Sequence, residues 1–249
     1  MPLFASKVSP AHYEHAIEEK RERRGDENRA LFRMYLMLLH IFFRQYEAQR
    51  HPKVHDFETY KKENALTELT YVPPQSTIIN ISHEWVGTDH PDPHGDQMYH
   101  LVLLLERLQR GDVSRTDMDA FHSLVYKHNY TTTAEDWKRI LDPQKTFIFY
   151  DGFCIPRKER EESFRRIPEI IKRCDFMIIL APGCTHFDRI DPRTGRKMNL
   201  CYRTYRLRAR CVYEMFSAFL TTRGGEQVCL LYTSPSPRDV EESRMPSSA

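Results

Sequence analysis

Three short runs of β-branched and aromatic residues set the strongest limit on this chain: TIINIS at 77–82, TFIFY at 146–150 and FMIIL at 176–180. None alternates apolar with polar as a strand with one wet face would. Each reads as a strand buried on both faces, the habit of a parallel sheet. The stretches between them carry apolar residues three and four apart. Met98, Leu101, Val102, Leu105 and Leu108 predict a helix over 97–110, a second helix covers 161–173, and a last one runs over 205–220. Alternation of strand and helix predicts an α/β domain, a doubly wound parallel sheet with helices on both faces. Such sheets hold ligands beyond the carboxyl ends of their strands. Here those ends are Ser82-His83-Glu84-Trp85, Asp151-Gly152-Phe153 and the segment 181–184.

The rest of the chain is read around this core. Ser9-Pro10 starts a helix that stops at Gly25, and Asp26 caps a second one continuing to Arg50, with Leu31, Tyr35, Leu38, Phe42 and Tyr46 along one face. A third helix covers 56–69, and Tyr71-Val72-Pro73-Pro74 reads as a linker. Residues 1–72 are therefore expected to form a helical extension packed on an α/β domain over 75–227. Residues 111–145 form an insertion with helices near 117–127 and 134–141. A polar loop spans 183–204. The tail from Cys229, CLLYTSPSPRD followed by VEE and SRMPSSA, resembles translated sequencing adapter. Residues 228–249 are then a non-native tail, and the domain is truncated before its sheet is complete.

Charge and cysteine usage narrow the function. Lys plus Arg exceed Asp plus Glu by 37 to 35, which gives no case for a nucleic-acid partner. The run at 34–43 is apolar apart from His40 and is bracketed by Arg33 and Arg44; it is about half the length that spans a bilayer, so no membrane insertion is expected. Six scattered cysteines without a C-x-x-C pair, and no signal-like start, point to free thiols and a cytoplasmic location. Neither G-x-G-x-x-G nor a P-loop follows any strand, so Rossmann and P-loop nucleotide binding are disfavoured. The loop HEWVGTDHPDPHGDQMYH holds His83, Glu84, Asp89, His90, Asp92, His94, Asp96 and His100. However, no second His follows His83-Glu84 at zincin spacing, and Pro91 and Pro93 keep His90 and His94 off a common helix. No metal site is assigned; an Asp/Pro turn explains the loop.

Four pieces in order, IINISHEW, FIFYDGFCIPR, RRIPEIIKRCDFMIILAP and RARCVYEMF, resemble a divergent Toll/interleukin-1-receptor (TIR) domain with a long first loop, over residues 77–222. The resemblance implies a flavodoxin-like sheet of five parallel strands. It also implies a signalling module that either assembles with its own kind and other TIR-like domains, or cleaves NAD at the nicotinamide–ribose bond. No bound cofactor is implied; NAD or a related nucleotide is the substrate. In enzymatic members the acid lies in a W-C-x-x-E stretch, which maps onto Arg210-Cys211-Val212-Tyr213-Glu214. Glu214 would then be catalytic, its carboxylate stabilising an oxocarbenium-like ribose. Ser82, His83, Trp85, Asp151, Phe153, Arg210 and Cys211 would bind the ligand, with Phe153, Trp85 or Tyr150 stacking on a flat base. Arg210 stands where the Trp would be, and either pairs with Glu214 or binds phosphate. The loop 152–158 would mediate contacts and gate the site. The catalytic reading requires Glu214 exposed in a cleft shared with the ends of the first two strands. The non-enzymatic adaptor reading expects Glu214 buried against arginines. An unrelated metal-binding domain would need three or more of the loop's His and Asp residues to converge.

Overall fold

A computed structural model describes residues 6–7, 33–46, 49, 51–117, 128–129, 131–221 and 231–232. In chain order its strands are β1 (Ser6–Lys7), β2 (Tyr35–Leu38), β3 (Leu66–Glu68), β4 (Thr77–His83), β5 (Arg115–Asp117), β6 (His128–Asn129), β7 (Thr131–Thr133), β8 (Thr146–Tyr150), β9 (Phe176–Leu180), β10 (Cys184–Ile190), β11 (Lys197–Leu200) and β12 (Leu231–Tyr232). The chain is an α/β protein built on a six-stranded mixed sheet of order β12-β9-β4-β8-β2-β3. β4 runs parallel to both β8 and β9, and β12 runs parallel to β9. Taken in chain order, these four parallel strands lie 2-1-3-4 across the sheet. That arrangement is compatible with a flavodoxin-like, doubly wound fold, and it places a reversal of strand order between β4 and β9.

Both faces of the sheet are covered, as the unbroken apolar strands require. Along β9, Phe176, Ile178 and Leu180 enter one hydrophobic cluster, while Met177 and Ile179, with Ala181 beyond them, enter another. This is the period-two alternation of a strand packed on each side. The first cluster receives Met98, Leu101, Leu105 and Leu108 from the helix Asp96–Arg110. The second receives Ile167 and Ile171 from the helix Ile167–Arg173, and Cys211 and Ala218 from the helix Ala209–Thr221. Pro168, near the start of its helix, separates it from the helix Arg160–Arg165, where one continuous helix was expected.

The N-terminal part departs most from expectation. Tyr35–Leu38 is a strand, paired antiparallel with β8 at Met37↔Ile148 and with β3 at Tyr35↔Glu68; only Leu39–Tyr46 continues as helix. Four apolar residues can line a helix face or fill a strand, and the free edge of β8 decides for the strand. The extension expected to be helical therefore supplies two antiparallel strands, and the sheet is mixed rather than purely parallel. Pro73-Pro74 lies in a connection from β3 to β4 within one sheet, not between separate units. The helices expected before residue 33 lie outside the described residues, as does most of the one expected near 117–127. The rest of that insertion is an antiparallel pair, β5 with β7, followed by the expected helix, Ala134–Ile140, started by a Thr133/Asp136 capping box. The polar loop expected over 183–204 is instead the antiparallel hairpin β10–β11, with the short helix Tyr202–Tyr205 after it. Leu231–Tyr232, inside the adapter-like stretch, occupies the outer edge of β9.

Candidate functional site

Three elements converge at the carboxyl end of β4. β4 delivers Ser82 and His83, with Glu84 and Trp85 just beyond it. Asp151 follows β8 directly, at the start of the short helix Asp151–Cys154, and the first turns of the helix Ala209–Thr221 deliver Arg210, Cys211 and Glu214. Gly152 makes the turn after Asp151 feasible: a Cβ there would lie 2.5 Å from the Tyr150 ring and 2.6 Å from Pro91.

The polar side chains form one connected, buried chain. Gln97 donates its amide to the Glu84 carbonyl at 2.8 Å, which turns its Oε1 towards His83 Nδ1 at 2.9 Å. His83 Nε2 faces Asp151 Oδ1 at 2.9 Å. Asp151 also accepts from Trp85 Nε1 at 3.1 Å and pairs with the Arg210 guanidinium at 3.1 Å. Arg210 Nε donates to Glu214 Oε1 at 3.2 Å, and the Ser82 hydroxyl donates to Glu214 Oε2. Tyr205, whose hydroxyl is 2.5 Å from Ser82 Oγ, completes the chain by donating to Ser82. Two cations thus alternate with two carboxylates, which is how buried charge is tolerated.

The protonation of His83 follows from this geometry. Only an amide NH2 can satisfy the Glu84 carbonyl, so Gln97 presents an acceptor to Nδ1, while Nε2 meets a carboxylate. Both ring nitrogens must donate, so the ring is an imidazolium. Burial opposes that charge, but Asp151 and the two hydrogen bonds outweigh it and raise the pKa above its ordinary value. Asp151 is held well below the usual carboxylate range: burial pushes it up, and Arg210 and His83 more than reverse this. Burial raises Glu214, only partly countered by Arg210. A raised His83 pKa stabilises the fold fully below the unfolded imidazole value and loses that contribution as pH rises through the folded one. Thermal midpoints should therefore fall as pH climbs from about 6.5 upward. His83→Gln should flatten that dependence, and an unchanged slope in the variant would remove His83 as its source.

Beside this network lies a cavity of about 550 Å³, within the range of small-molecule sites. Of the residues expected to bind a ligand, His83, Trp85, Arg210 and Cys211 line it, as does their neighbour Glu84. Ser82, Asp151 and Glu214 are buried behind that wall. Phe153 and Tyr150, both expected as stacking partners for a ligand base, are fully buried against each other, Phe153 also against Tyr60, because Tyr150 ends a strand buried on both faces and the helix Asp151–Cys154 turns Phe153 into the core. The loop expected to carry contacts is buried as far as Pro156, leaving only Arg157 and Lys158 exposed within 152–158. Burial, aided by nearby carboxylates, pushes the Cys211 thiol up; it donates to the His83 carbonyl at 3.4 Å and is no thiolate nucleophile. Glu214 is 8% exposed and paired with Arg210, the arrangement the adaptor reading expected.

Sequence reasoning missed most of the cavity's charge. Arg160, Arg165, Arg189, Arg208 and Arg210 stand in its wall against two carboxylates, Glu84 and Glu161. Arg160 lies over the Trp85 ring, 4.7 Å from its centroid. Burial, with repulsion from Arg157 and Arg210, lowers the Arg160 pKa despite Asp151. The available signal was arginine density over 157–173 and 189–210, on segments that only the fold brings together. Among the described residues no group of three or more His, Cys, Asp and Glu gathers to hold a metal ion. His90 Nε2 donates to the Val54 carbonyl at 3.0 Å, and the Asp92 carboxylate accepts from the Met98 amide at 2.8 Å, so the His/Asp loop works as a turn and helix cap. No helix among the described residues is long and apolar enough to cross a membrane. No protein-family model, curated protein or solved structure matches the chain.

Proposed function

We propose that this chain is a TIR-like signalling module that binds a phosphate-bearing nucleotide, NAD or a relative of it, and acts by binding rather than by cleavage. The observation that carries this reading is the wall of five arginines around an indole, at the end of β4 beside the reversal of strand order. Guanidinium groups are donors only and match phosphate oxygens in pairs, while an aromatic face accepts a flat base. Glu214, buried and committed to Ser82 and Arg210, fits a structural role in this state.

One observation favours a second, catalytic reading. Arg210 lines the cavity and Glu214 lies behind it. A phosphate that drew Arg210 outward would uncover Glu214 for a ribose whose bond to nicotinamide is breaking. Calorimetric titration of the full chain with NAD and ADP-ribose, together with assay of nicotinamide release, tests both readings. Saturable binding with NAD left intact is expected. Turnover that disappears in Glu214→Ala would establish the catalytic form instead, and absence of binding by either compound would sink both.

A further inference from the structure

The two network carboxylates, Asp151 and Glu214, have partners on both oxygens. Glu84 does not. It follows β4 directly, is 4% exposed and lines the cavity. Arg208 Nε donates to its Oε1 at 2.5 Å; its Oε2 is closed off from solvent and has no hydrogen-bond partner among the described residues, so a ligand would meet it after a small rotation of the carboxylate. Such a buried, unpaired acceptor is costly to leave empty. A carboxylate oxygen only accepts, so the missing partner must donate. A molecule answering both features would bring two opposite things to one cavity: acceptor-rich anionic groups for the arginines, and a neutral hydrogen-bond donor for Glu84.

We infer that Glu84 is the specificity-determining acceptor of this site, receiving a hydroxyl or amine of the ligand and rejecting bare polyphosphate. The inference rests on the reading of the cavity as a nucleotide site. An ionised phosphate has no proton to offer, so inorganic pyrophosphate satisfies the arginines while facing the Glu84 carboxylate with like charge. A nucleoside diphosphate supplies the same phosphates plus donors from the ribose hydroxyls or the exocyclic amine of adenine. Arg208 positions the carboxylate by holding Oε1.

The test compares ADP, inorganic pyrophosphate, 2′,3′-dideoxy-ADP and IDP by calorimetry on the full chain and on Glu84→Gln. The wild-type chain should prefer ADP over pyrophosphate by at least about tenfold, the worth of one hydrogen bond to a charged group. In Glu84→Gln the amide can keep its oxygen on Arg208 and place NH2 where Oε2 was, turning an acceptor into a donor. ADP should weaken by roughly tenfold, pyrophosphate should hold or tighten, and the preference should collapse. The other two ligands need no variant, so the question survives a variant that fails to fold. Loss of affinity with dideoxy-ADP identifies the ribose hydroxyls as the donor, and loss with IDP identifies the amine. Equal binding of all three nucleotides by the wild-type chain, or an undiminished preference in Glu84→Gln, overturns the inference while leaving nucleotide binding intact. Failure of every compound to bind overturns the nucleotide reading, and this inference with it.

Discussion

Asp151→Ala should cost about 3–5 kcal/mol, the usual consequence of stripping one partner from a buried ion network. The carboxylate faces the His83 imidazolium, the Arg210 guanidinium and the Trp85 indole N–H at once. Its removal leaves two buried positive charges facing one another across an empty space. A domain of this kind has only about 5–15 kcal/mol to lose, so the urea midpoint should drop sharply. The deficit should also depend on pH. Without Asp151, burial drives the His83 pKa down, and folding below the unfolded imidazole value then requires the ring to shed its proton. The gap between wild-type and variant stability should therefore be widest in mild acid and narrow as pH rises. A loss under about 1 kcal/mol, or a gap that widens with pH, would contradict the network as described.

Arg210→Ala should produce the second large loss, about 3 kcal/mol, with the opposite pH signature. Arg210 is the cation between two buried carboxylates, bonded to Asp151 at 3.1 Å and to Glu214 at 3.2 Å. Asp151 keeps His83; Glu214 keeps only the Ser82 hydroxyl. Burial already raises the Glu214 pKa, and loss of its cation raises it further. A carboxyl whose folded pKa exceeds its unfolded one contributes stability below the unfolded value and loses it as pH rises through the folded value. The variant should thus recover towards wild type as pH falls into the acid range and Glu214 takes a proton. Adding Glu214→Gln to Arg210→Ala should return about 1–3 kcal/mol at pH 7, the coupling expected of a direct buried pair. Strictly additive losses would mean that the two residues do not sense each other.

The three central strands were legible because nothing competed with them. TIINIS, TFIFY and FMIIL are too short and too β-branched for helices, and β4, β8 and β9 coincide with them, β4 extending one residue to His83. Tyr35–Leu38 was not legible, because its residues also fall on a helical stripe with Phe42 and Tyr46. The decision was made by the edge of β8, more than a hundred positions away. The hairpin β10–β11 escaped notice because its strands are mostly exposed and polar, with the burial signal confined to His186 and Leu200. At the site, the meeting of Ser82, His83, Asp151 and Glu214 follows from strand ends and a helix start, which the sequence marks well. The arginine wall does not, since its members come from the helix Arg160–Arg165, the hairpin, the turn before the last helix and the first turn of that helix.

The hairpin changes the meaning of an almost neutral chain. From Cys184 to Arg210 the sequence holds eight Lys and Arg against two Asp and Glu, while the remainder holds 29 against 33. Three of these cations, Arg189, Arg208 and Arg210, line the cavity together with Arg160 and Arg165. Such an arrangement focuses field lines into the hollow and draws anions towards it before any contact is made. Capture should consequently be fast at low ionic strength and should slow as added salt shortens the reach of the field to about 8 Å near physiological strength. Departure of the ligand, governed by short contacts inside the cavity, should respond far less. On the proposed nucleotide reading, capture would be fast and selectivity would be exercised afterwards, at close range.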